Sequence, residues 1–468
     1  MLKKICLILL GCLALFFVGY RLTESPPTWM DEGIIIQSAR SVAQNGVFGL
    51  PEAPGQFVTG SFLTTGYPVV YPIALVFKLA GVGLFQARLV MAAYILLLLV
   101  LVYFLALKIN GNNWFSLTTL ALLVTFAPLY GQGRNVLGEV PGIFFMLVSI
   151  WCWYWLADRP SKWLASLAGV SLGLALVTKP TFLPLLPAGI LTIALFIYRR
   201  QLSWAQSIWT MIGAIIPLII FYFAQLSSES FAQILAFYSN PHAVSLVEII
   251  KANIYRLTTE LESVYCLLLL LVWWSSLVGR WYLKQSVKSA EIGAALASSF
   301  LMLAYLQTVG YYRYFLAPEI LGLIYLPSSL KWWCEQFSSL IVRRVMLIGL
   351  FILIVFQFNQ SVFYSWVAKH YASQRAASLT TYFKQPEHQQ TYFLYQAPVA
   401  ATFLGNKDYY QYLLITPKVI IGGEWQNNPP ADVSVVLPQD LDLNNLAWAE
   451  DYETVDLVDQ FRILEPKY

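Results

Sequence analysis

Two adjacent carboxylates, Asp31 and Glu32, stand at a position where they could act on a substrate. They follow a Pro-Pro turn and open an amphipathic stretch of the chain. An acid in such a place can accept a proton from a hydroxyl group or bind a metal ion. Negative charge is also favoured at the start of any helix. The pair therefore predicts either reactive carboxylates or a simple helix-terminal charge.

A second group of polar residues lies in the stretch GQGRNVLGEVP at residues 131–141. Arg134 follows one apolar run, and Glu139 enters the next. A carboxylate that enters a membrane bundle is costly and usually functional. The alternative is an Arg134–Glu139 ion pair that closes the turn.

Two further basic residues, Lys179 and Arg313, lie in short turns between apolar runs. Fixed cations of this kind stabilise a departing anion such as a phosphate. The alternatives are a lysine that snorkels to the membrane surface and an arginine held by the neighbouring tyrosines. Taken together, the two acidic sites and three basic sites fall on one predicted face of the protein, in distant segments.

Three other residues are weaker candidates. Tyr67 and Tyr71 each precede a proline, and they fit turn and aromatic-belt positions. His242 lies in a long loop, where it could join a metal site with carboxylates or remain a solvated residue. The sequence contains no phosphate-binding glycine loop and no zinc-hydrolase motif.

The composition indicates that membrane helices position these residues. Of 468 residues, 58% are hydrophobic and 12% are charged, about half the charge of an average soluble domain. About eleven runs have the length of a span, which is roughly 20 residues. The predicted spans are 5–20, 84–107, 114–130, 136–156, 163–178, 182–198, 205–225, 263–279, 290–309, 315–330 and 345–364. Since no small-residue cleavage site follows the first run, we expect it to be an uncleaved span.

The basic residues predict the orientation of these spans. Lysine and arginine concentrate in cytoplasmic loops, and this pattern places the N-terminus inside the cell and the C-terminal tail outside, in an inner membrane. The net charge is +4, but residues 366–468 carry 12 acidic and 7 basic residues. Because the basic excess is an orientation signal, it gives no indication of nucleic-acid binding.

The chain is predicted to form two domains. Residues 1–364 form an α-helical transmembrane domain with two long outer loops, 21–83 and 226–262. In the first of these loops, Asp31–Phe48 and Val69–Ala80 are expected to form helices that lie in the membrane interface. Residues 365–468 have short β-type runs and predict a small extracytoplasmic α/β domain.

The order of these motifs resembles the GT-C membrane glycosyltransferases. The Trp-x-Asp-Glu start of the outer helix is followed by Tyr-Pro pairs, by Gly-Arg-x-x-x-Gly-Glu-x-Pro and by a Thr-Lys turn. The most similar branch is that of the protein O-mannosyltransferases and the lipid A aminoarabinose transferases. The resemblance covers residues 1–200 well and residues 311–318 weakly.

This resemblance implies transfer of a sugar from a polyprenyl-phosphate donor to an outer acceptor, with inversion. Asp31 takes the place of the first-loop acid, which acts on the acceptor or on a metal, with Glu32 beside it. Glu139 takes the place of the second-loop acid, and Arg134, Lys179 or Arg313 would hold the phosphate. The resemblance leaves two alternatives open: a divalent metal ion bound by Asp31 and Glu139, or a reaction without a cofactor. The acceptor is a lipid, a glycan or a protein.

Two other functions remain open on the sequence. A transporter or flippase of a lipid-linked substrate would place charged residues along a path at the middle of the membrane. A glycan ligase or polymerase would depend on an arginine and a histidine in a large outer loop, for which Arg256 and His242 are the candidates.

Overall fold

The computed structural model describes residues 1–226, 245–308, 310–337, 339–388, 391–416 and 419–467. Its helices are α1 (Leu2–Gly19), α2 (Met30–Asn45), α3 (Tyr67–Ala80), α4 (Leu84–Asn110), α5 (Asn113–Val124), α6 (Ala127–Gly133), α7 (Glu139–Asp158), α8 (Lys162–Thr178), α9 (Leu185–Tyr198), α10 (Trp204–Phe221), α11 (Leu246–Thr259), α12 (Leu261–Tyr282), α13 (Ser289–Tyr305), α14 (Leu316–Gln336), α15 (Leu340–Asn359), α16 (Trp366–Lys369) and α17 (Arg375–Lys384). The strands are β1 (Gly49–Ala53), β2 (Gln56–Thr59), β3 (Tyr392–Tyr395), β4 (Tyr409–Thr416), β5 (Val419–Ile421), β6 (Ser434–Pro438), β7 (Tyr452–Val458) and β8 (Phe461–Pro466).

The chain is a polytopic helical membrane protein with seven to eight candidate spans. Among the described residues, seven helical segments are long and apolar enough to cross a membrane: Leu2–Gly19, Leu84–Asn110, Glu139–Asp158, Pro180–Tyr198, Trp204–Leu226, Leu261–Tyr282 and Leu340–Lys369. Helices α5 and α6 meet at a bend of 55°, and they form an eighth candidate span if the bent pair is counted as one.

The structure therefore supports fewer spans than the eleven predicted. Helices α8 and α13 coincide with predicted spans but are shorter apolar helices. A helix of 17 residues such as α8 is about 25 Å long, less than the roughly 30 Å of a hydrocarbon core. Helix α14 also coincides with a predicted span but is not among the candidate spans.

Small residues bring α8 and α10 into close contact. A Cβ atom at Gly169 would lie 1.9 Å from the carbonyl oxygen of Thr210, and one at Gly213 would lie 2.4 Å from that of Ser166. Glycine lets two helix backbones approach in this way. The packing holds α8, whose C-terminal end leads into Lys179, against α10.

The first long loop folds into α2, the hairpin β1–β2 and α3. Every residue of α2 from Glu32 to Ser41 is buried, whereas a helix lying on a membrane surface keeps one face exposed. The prediction of an interfacial helix is therefore corrected for α2: the tail domain covers its polar side, where Gln37 donates a 3.1 Å hydrogen bond to the Pro398 carbonyl. Helix α3 keeps an exposed apolar face that includes Leu75 and Leu79.

The C-terminal region forms a six-stranded mixed sheet. Its strand order is β5-β4-β3-β6-β8-β7; β3 pairs in parallel with β4 and β6, and the other pairs are antiparallel. The mixed sheet confirms the predicted α/β character of the tail. The β-type runs that the sequence predicts at 391–395, 418–421 and 433–437 correspond to β3, β5 and β6, whereas β4, β7 and β8 were not predicted.

Candidate active site

Four charged side chains from distant parts of the chain meet at one place, which we call the ion cluster: Asp31, Glu139, Lys179 and Arg313. Arg313 Nη1 donates a hydrogen bond to Asp31 Oδ2 at 2.9 Å. Arg313 Nε lies 3.4 Å from Glu139 Oε1, and Lys179 Nζ donates to the same oxygen at 2.5 Å. Two carboxylates and two cations therefore form one connected group.

Helix ends position both acids of the ion cluster. Asp31 lies in the first turn of α2 and Glu139 in the first turn of α7, where the positive end of the helix dipole favours a carboxylate. Gly138, directly before α7, lets Lys179 approach. A Cβ atom at Gly138 would lie 2.9 Å from the Thr178 carbonyl oxygen and 3.2 Å from Lys179 Cβ.

Burial differs sharply within the ion cluster. The Asp31 side chain is 43% exposed, whereas those of Arg313, Lys179 and Glu139 are 9%, 5% and 3% exposed. Asp31 is thus the member of the cluster that is open to solvent. The Oε2 atom of Glu139 is buried and has no hydrogen-bond partner among the described residues. It can therefore accept a hydrogen bond from a ligand.

The surroundings change the acidity of the two cations in opposite directions. Burial lowers the pKa of Lys179, and the nearby Glu139 carboxylate opposes this only in part. Burial also lowers the pKa of Arg313, but Glu139, Tyr314 and Asp31 raise it by more, and the net pKa lies above the ordinary value. Arg313 is therefore a permanent charge, while Lys179 loses its proton more easily than an ordinary lysine.

Aromatic rings surround the buried guanidinium of Arg313. Its central carbon lies 5.0 Å from the centre of the Trp29 ring, 4.9 Å from that of Tyr311 and 5.6 Å from that of Tyr314. Cation–aromatic contact is favourable at such distances. Arg313 is accordingly anchored by aromatic rings, as the alternative interpretation expected, and it is also paired with carboxylates. That it holds a phosphate stays a prediction.

Glu32 is not part of the ion cluster. It is fully buried and forms a bidentate pair with Arg88, with oxygen–nitrogen distances of 2.8 and 2.7 Å. Glu32 also accepts a hydrogen bond from the backbone N–H of Val136. Arg88 donates in addition to the carbonyl of Pro26. The pair therefore joins the first loop to α4 and to the segment before α7.

Sequence reasoning missed Arg88, although an arginine in the first turns of a predicted span was a signal.

Arg134 also lies apart from the ion cluster. Its guanidinium donates to the Tyr20 carbonyl at 2.6 Å and contacts the Tyr371 ring. It is fully buried, and its Nε atom has no hydrogen-bond partner among the described residues. The Arg134–Glu139 pair suggested as an alternative is not formed, because Glu139 pairs with Lys179 and Arg313.

The weaker candidates lie outside this group. Tyr67 donates to the Pro217 carbonyl at a long 3.5 Å, and its ring contacts that of Tyr71. Arg256 forms a helical ion pair with Glu260 at 3.6 Å. His242 lies outside the described residues, so the structure leaves the arginine–histidine pair of the ligase interpretation untested.

The metal site suggested on Asp31 and Glu139 does not match the arrangement of these residues. In the described part of the chain, no three His, Cys, Asp or Glu residues are grouped to hold a metal ion. The guanidinium of Arg313 bridges the two carboxylates instead. We therefore derive no catalytic step through a metal.

The fold is similar to those of two solved proteins, ArnT and an archaeal oligosaccharyltransferase. Crystal structures of ArnT from Cupriavidus metallidurans, one bound to undecaprenyl phosphate and one in the apo state, are similar with TM-scores of 0.61 and 0.62 at 12% identity. These matches cover 98% and 99% of this chain and 97% and 98% of the ArnT chain. The oligosaccharyltransferase of Archaeoglobus fulgidus, in complex with Zn and sulfate, has a TM-score of 0.55 at 11% identity, over 92% of this chain and 68% of that chain.

The sequence also matches a family. Residues 51–235 match the model of the dolichyl-phosphate-mannose-protein mannosyltransferases, so this part of the chain is similar to that family. The predicted resemblance is thereby confirmed. The matched residues include Glu139 and Lys179. A protein of Aquifex aeolicus (strain VF5) is 30% identical over 193 residues, which are 41% of this chain and 37% of that relative.

Proposed function

We propose that the protein transfers a sugar from a polyprenyl-phosphate donor to an acceptor hydroxyl on the extracytoplasmic face of the membrane. The observation that carries the proposal is the ion cluster, in which one solvent-open carboxylate, Asp31, adjoins two buried cations, Lys179 and Arg313. A sugar bound beside this cluster would have the Asp31 carboxylate within reach of the acceptor hydroxyl and the two cations within reach of the departing phosphate.

Two near neighbours of Lys179 in the chain line an apolar cavity. This cavity has a volume of about 170 Å³ and is lined mainly by apolar groups, among them Leu63, Val177, Pro180, Leu183 and Phe221. Val177 and Pro180 flank Lys179 closely in sequence. A lipid phosphate bound here would keep its isoprenoid chain in apolar surroundings and its phosphate near the Lys179 ammonium. The bound undecaprenyl phosphate of the structurally similar ArnT supports this class of donor.

Asp31 is the proposed general base. The acceptor oxygen attacks the anomeric carbon, and its proton passes to Asp31. The bond between that carbon and the phosphate oxygen breaks, and the phosphate leaves with the electron pair. A single in-line displacement of this kind inverts the anomeric centre. Lys179 and Arg313 stabilise the charge that develops on the phosphate.

The other acids and Arg134 are proposed to position these groups. Glu139 holds Lys179 and Arg313 together through one carboxylate oxygen. Glu32 acts through its pair with Arg88, which fixes the start of α2. Arg134 ties the end of α1 to the segment before α7.

We also propose the topology and the domain division that the sequence predicted. In this arrangement α8, α13 and α14 cross the membrane together with the eight candidate spans, and the N-terminus lies in the cytoplasm. Residues 1–364 then form the catalytic domain and residues 365–468 an extracytoplasmic domain. The charged ion cluster at the ends of α2, α7 and α8 lies on the outer face in this topology.

The proposal is tested with the full-length protein in nanodiscs. Lipids that co-purify with it are identified by mass spectrometry, and radiolabelled polyprenyl-phosphate hexoses and pentoses are supplied with an envelope extract as the acceptor. The Asp31→Asn variant should lose about 10²- to 10⁴-fold in transfer rate, the usual contribution of a general base. The Asp456→Asn variant, on the tail strand β7, is the control. Undiminished transfer by Asp31→Asn would exclude Asp31 as the base.

A further inference from the structure

A cleft of about 680 Å³ lies between the start of α2 and the tail sheet. One wall comes from the first loop and includes Trp29 and Met30. The opposite wall comes from the ends of tail strands and includes Gln396, Gln439, Asp440 and Gln460. The cleft is larger than the apolar cavity beside Lys179 and contains many more polar groups.

Trp29 connects the cleft to the ion cluster. Its ring lies against the guanidinium of Arg313 at 5.0 Å, and it also lines the cleft. Asp31 follows two residues later and is the solvent-open member of the cluster. A molecule in the cleft would thus lie close to the segment that carries the proposed base.

The chemistry of the cleft fits a neutral carbohydrate. The side chains of Gln396, Gln439, Gln460 and Asp440 are at least partly exposed. Carboxamides both donate and accept hydrogen bonds, carboxylates accept them, and sugar hydroxyls need both kinds of partner. In the described part of the chain, these four side chains form no hydrogen bond that would compete with a ligand.

The charges and aromatic surface of the cleft favour the same ligand. Arg375 and Asp459 neutralise each other at 2.9 Å, which leaves Asp440 as the excess charge of the lining. A carboxylate repels a phosphorylated or acidic ligand. Trp29 and Phe461 add ring surface against which the C–H faces of a sugar can pack.

We propose that this cleft binds the acceptor as a neutral oligosaccharide, either free or as the head group of a glycolipid. This inference rests on the proposed transferase function, because it supplies the acceptor whose hydroxyl reaches Asp31. It assigns to the tail domain the choice of acceptor, while the ion cluster and the apolar cavity serve the donor.

The test uses the full-length protein in nanodiscs with a polyprenyl-phosphate hexose donor. The acceptor probes are neutral oligosaccharides released from envelope glycolipids, the intact glycolipids, and the extracytoplasmic protein fraction. The cleft variant combines Gln439→Ala with Asp440→Ala. The control variant combines Gln426→Ala with Asp456→Ala, which changes the same residue types on the tail outside the cleft.

The cleft variant should raise KM for the oligosaccharides roughly tenfold, the effect of losing one or two ligand hydrogen bonds. Its kcat and its slow hydrolysis of the donor by water should stay within about twofold of the unsubstituted protein. The control variant should change none of these quantities. If the KM rises only for the intact glycolipid, the ligand is the glycolipid head group and not the free oligosaccharide.

Two outcomes overturn the proposal: an unchanged KM in the cleft variant, or transfer to the protein fraction alone. Saturation-transfer NMR with the same oligosaccharides separates this inference from the proposed function. The unsubstituted protein could bind the oligosaccharides but transfer no sugar, while the cleft variant does not bind them. That result would support the binding site in the cleft and contradict the proposed transferase function. Absence of both binding and transfer would contradict both.

Discussion

Arg313 donates a 2.9 Å hydrogen bond to Asp31, although the two residues lie 282 positions apart in the chain. The Arg313 side chain is 9% exposed and that of Asp31 is 43% exposed, so a buried cation holds a carboxylate that solvent can reach. Arg313 also contacts Glu139. This contact makes Arg313 the link between the proposed acceptor side and the proposed phosphate side of the site.

The first prediction concerns the geometry of Arg313. Arg313→Gln removes the charge and should lower kcat for sugar transfer by about 10²-fold or more, as expected when a preorganised charge is lost. Arg313→Lys keeps a charge, but a lysine is a point charge and cannot contact both carboxylates as the guanidinium does. We expect the kcat of Arg313→Lys, measured by steady-state kinetics, to lie between that of Arg313→Gln and that of the unsubstituted protein.

The matched control is Lys331→Gln, which removes a cation from an exposed ion pair with Glu335. Exposed pairs contribute about 1 kcal/mol or less, so this variant should retain the kcat of the unsubstituted protein. Equal kcat for Arg313→Gln and Lys331→Gln would remove Arg313 from the catalytic group.

The second prediction concerns Gly138. The backbone φ at this position is −86°, so a side chain causes no backbone strain. It would, however, meet the Thr178 carbonyl and Lys179. Gly138→Val should displace Lys179 from Glu139 and reduce kcat, with a cost in stability of about 1–3 kcal/mol. Gly349→Val is the control, since nothing lies within 4 Å of a Cβ atom there. A Gly138→Val variant with normal kcat would show that the Lys179 position does not matter.

The helices and the site residues could be predicted to different extents. Apolar runs located the helices well, because burial in lipid selects such runs directly. The residue types and spacing could not tell Asp31 from Glu32, and only the family resemblance singled out Asp31. Neighbouring residues on a helix point about 100° apart, so Asp31 reaches Arg313 while Glu32 reaches Arg88. Which neighbour faces the site depends on tertiary packing, which one sequence does not contain.

The burial of α2 was also beyond sequence reasoning, for a related reason. The helix has the pattern of a surface helix, with Gln37 and Arg40 on its polar side. The tail domain, more than 300 positions later, covers that side. Polar residues that bond to a distant domain look the same in sequence as polar residues that face water.

The third prediction concerns the buried pair of Glu32 and Arg88, both 0% exposed. Arg88→Met leaves a buried carboxylate without its cation, which typically costs about 3–5 kcal/mol. The apparent melting temperature in detergent should fall sharply. The double variant Glu32→Leu with Arg88→Met removes both charges and should recover much of that loss. A double variant no more stable than Arg88→Met would contradict the ion-pair explanation.

The fourth prediction is a pH dependence that arises from Lys179. Its pKa is lowered from 10.5 by burial, and the protonated form is needed to hold the phosphate. Transfer activity should therefore fall, as the pH rises, at a lower pH than an ordinary lysine would give. Lys179→Arg should move that decline to higher pH, because arginine stays protonated. A decline at the same pH in Lys179→Arg would assign it to another group.

The lowered pKa of Lys179 should change stability in the opposite direction from activity. Because the folded protein binds this proton less tightly than the unfolded chain does, the stability contribution of Lys179 rises between its lowered pKa and 10.5. Over that pH range activity should decrease while this contribution to the free energy of unfolding increases. Thermal melting at several pH values, compared between the unsubstituted protein and Lys179→Gln, measures the difference.

The fifth prediction concerns the contact between α2 and the tail. A Cβ atom at Gly33 would lie 2.6 Å from the Pro398 carbonyl oxygen, and the Tyr409 hydroxyl donates to Gln37 one turn further on. Gly33→Ala should push the tail away from α2, two residues from Asp31. Acceptor-dependent transfer should then fall more than donor hydrolysis by water, because the displaced contact lies at the start of α2, beside Asp31, and not at Lys179. Gly19→Ala, where nothing lies within 4 Å, should leave both rates unchanged. Equal losses of transfer and hydrolysis in Gly33→Ala would mean that the tail supports the fold of α2 as a whole and does not act on the acceptor side alone.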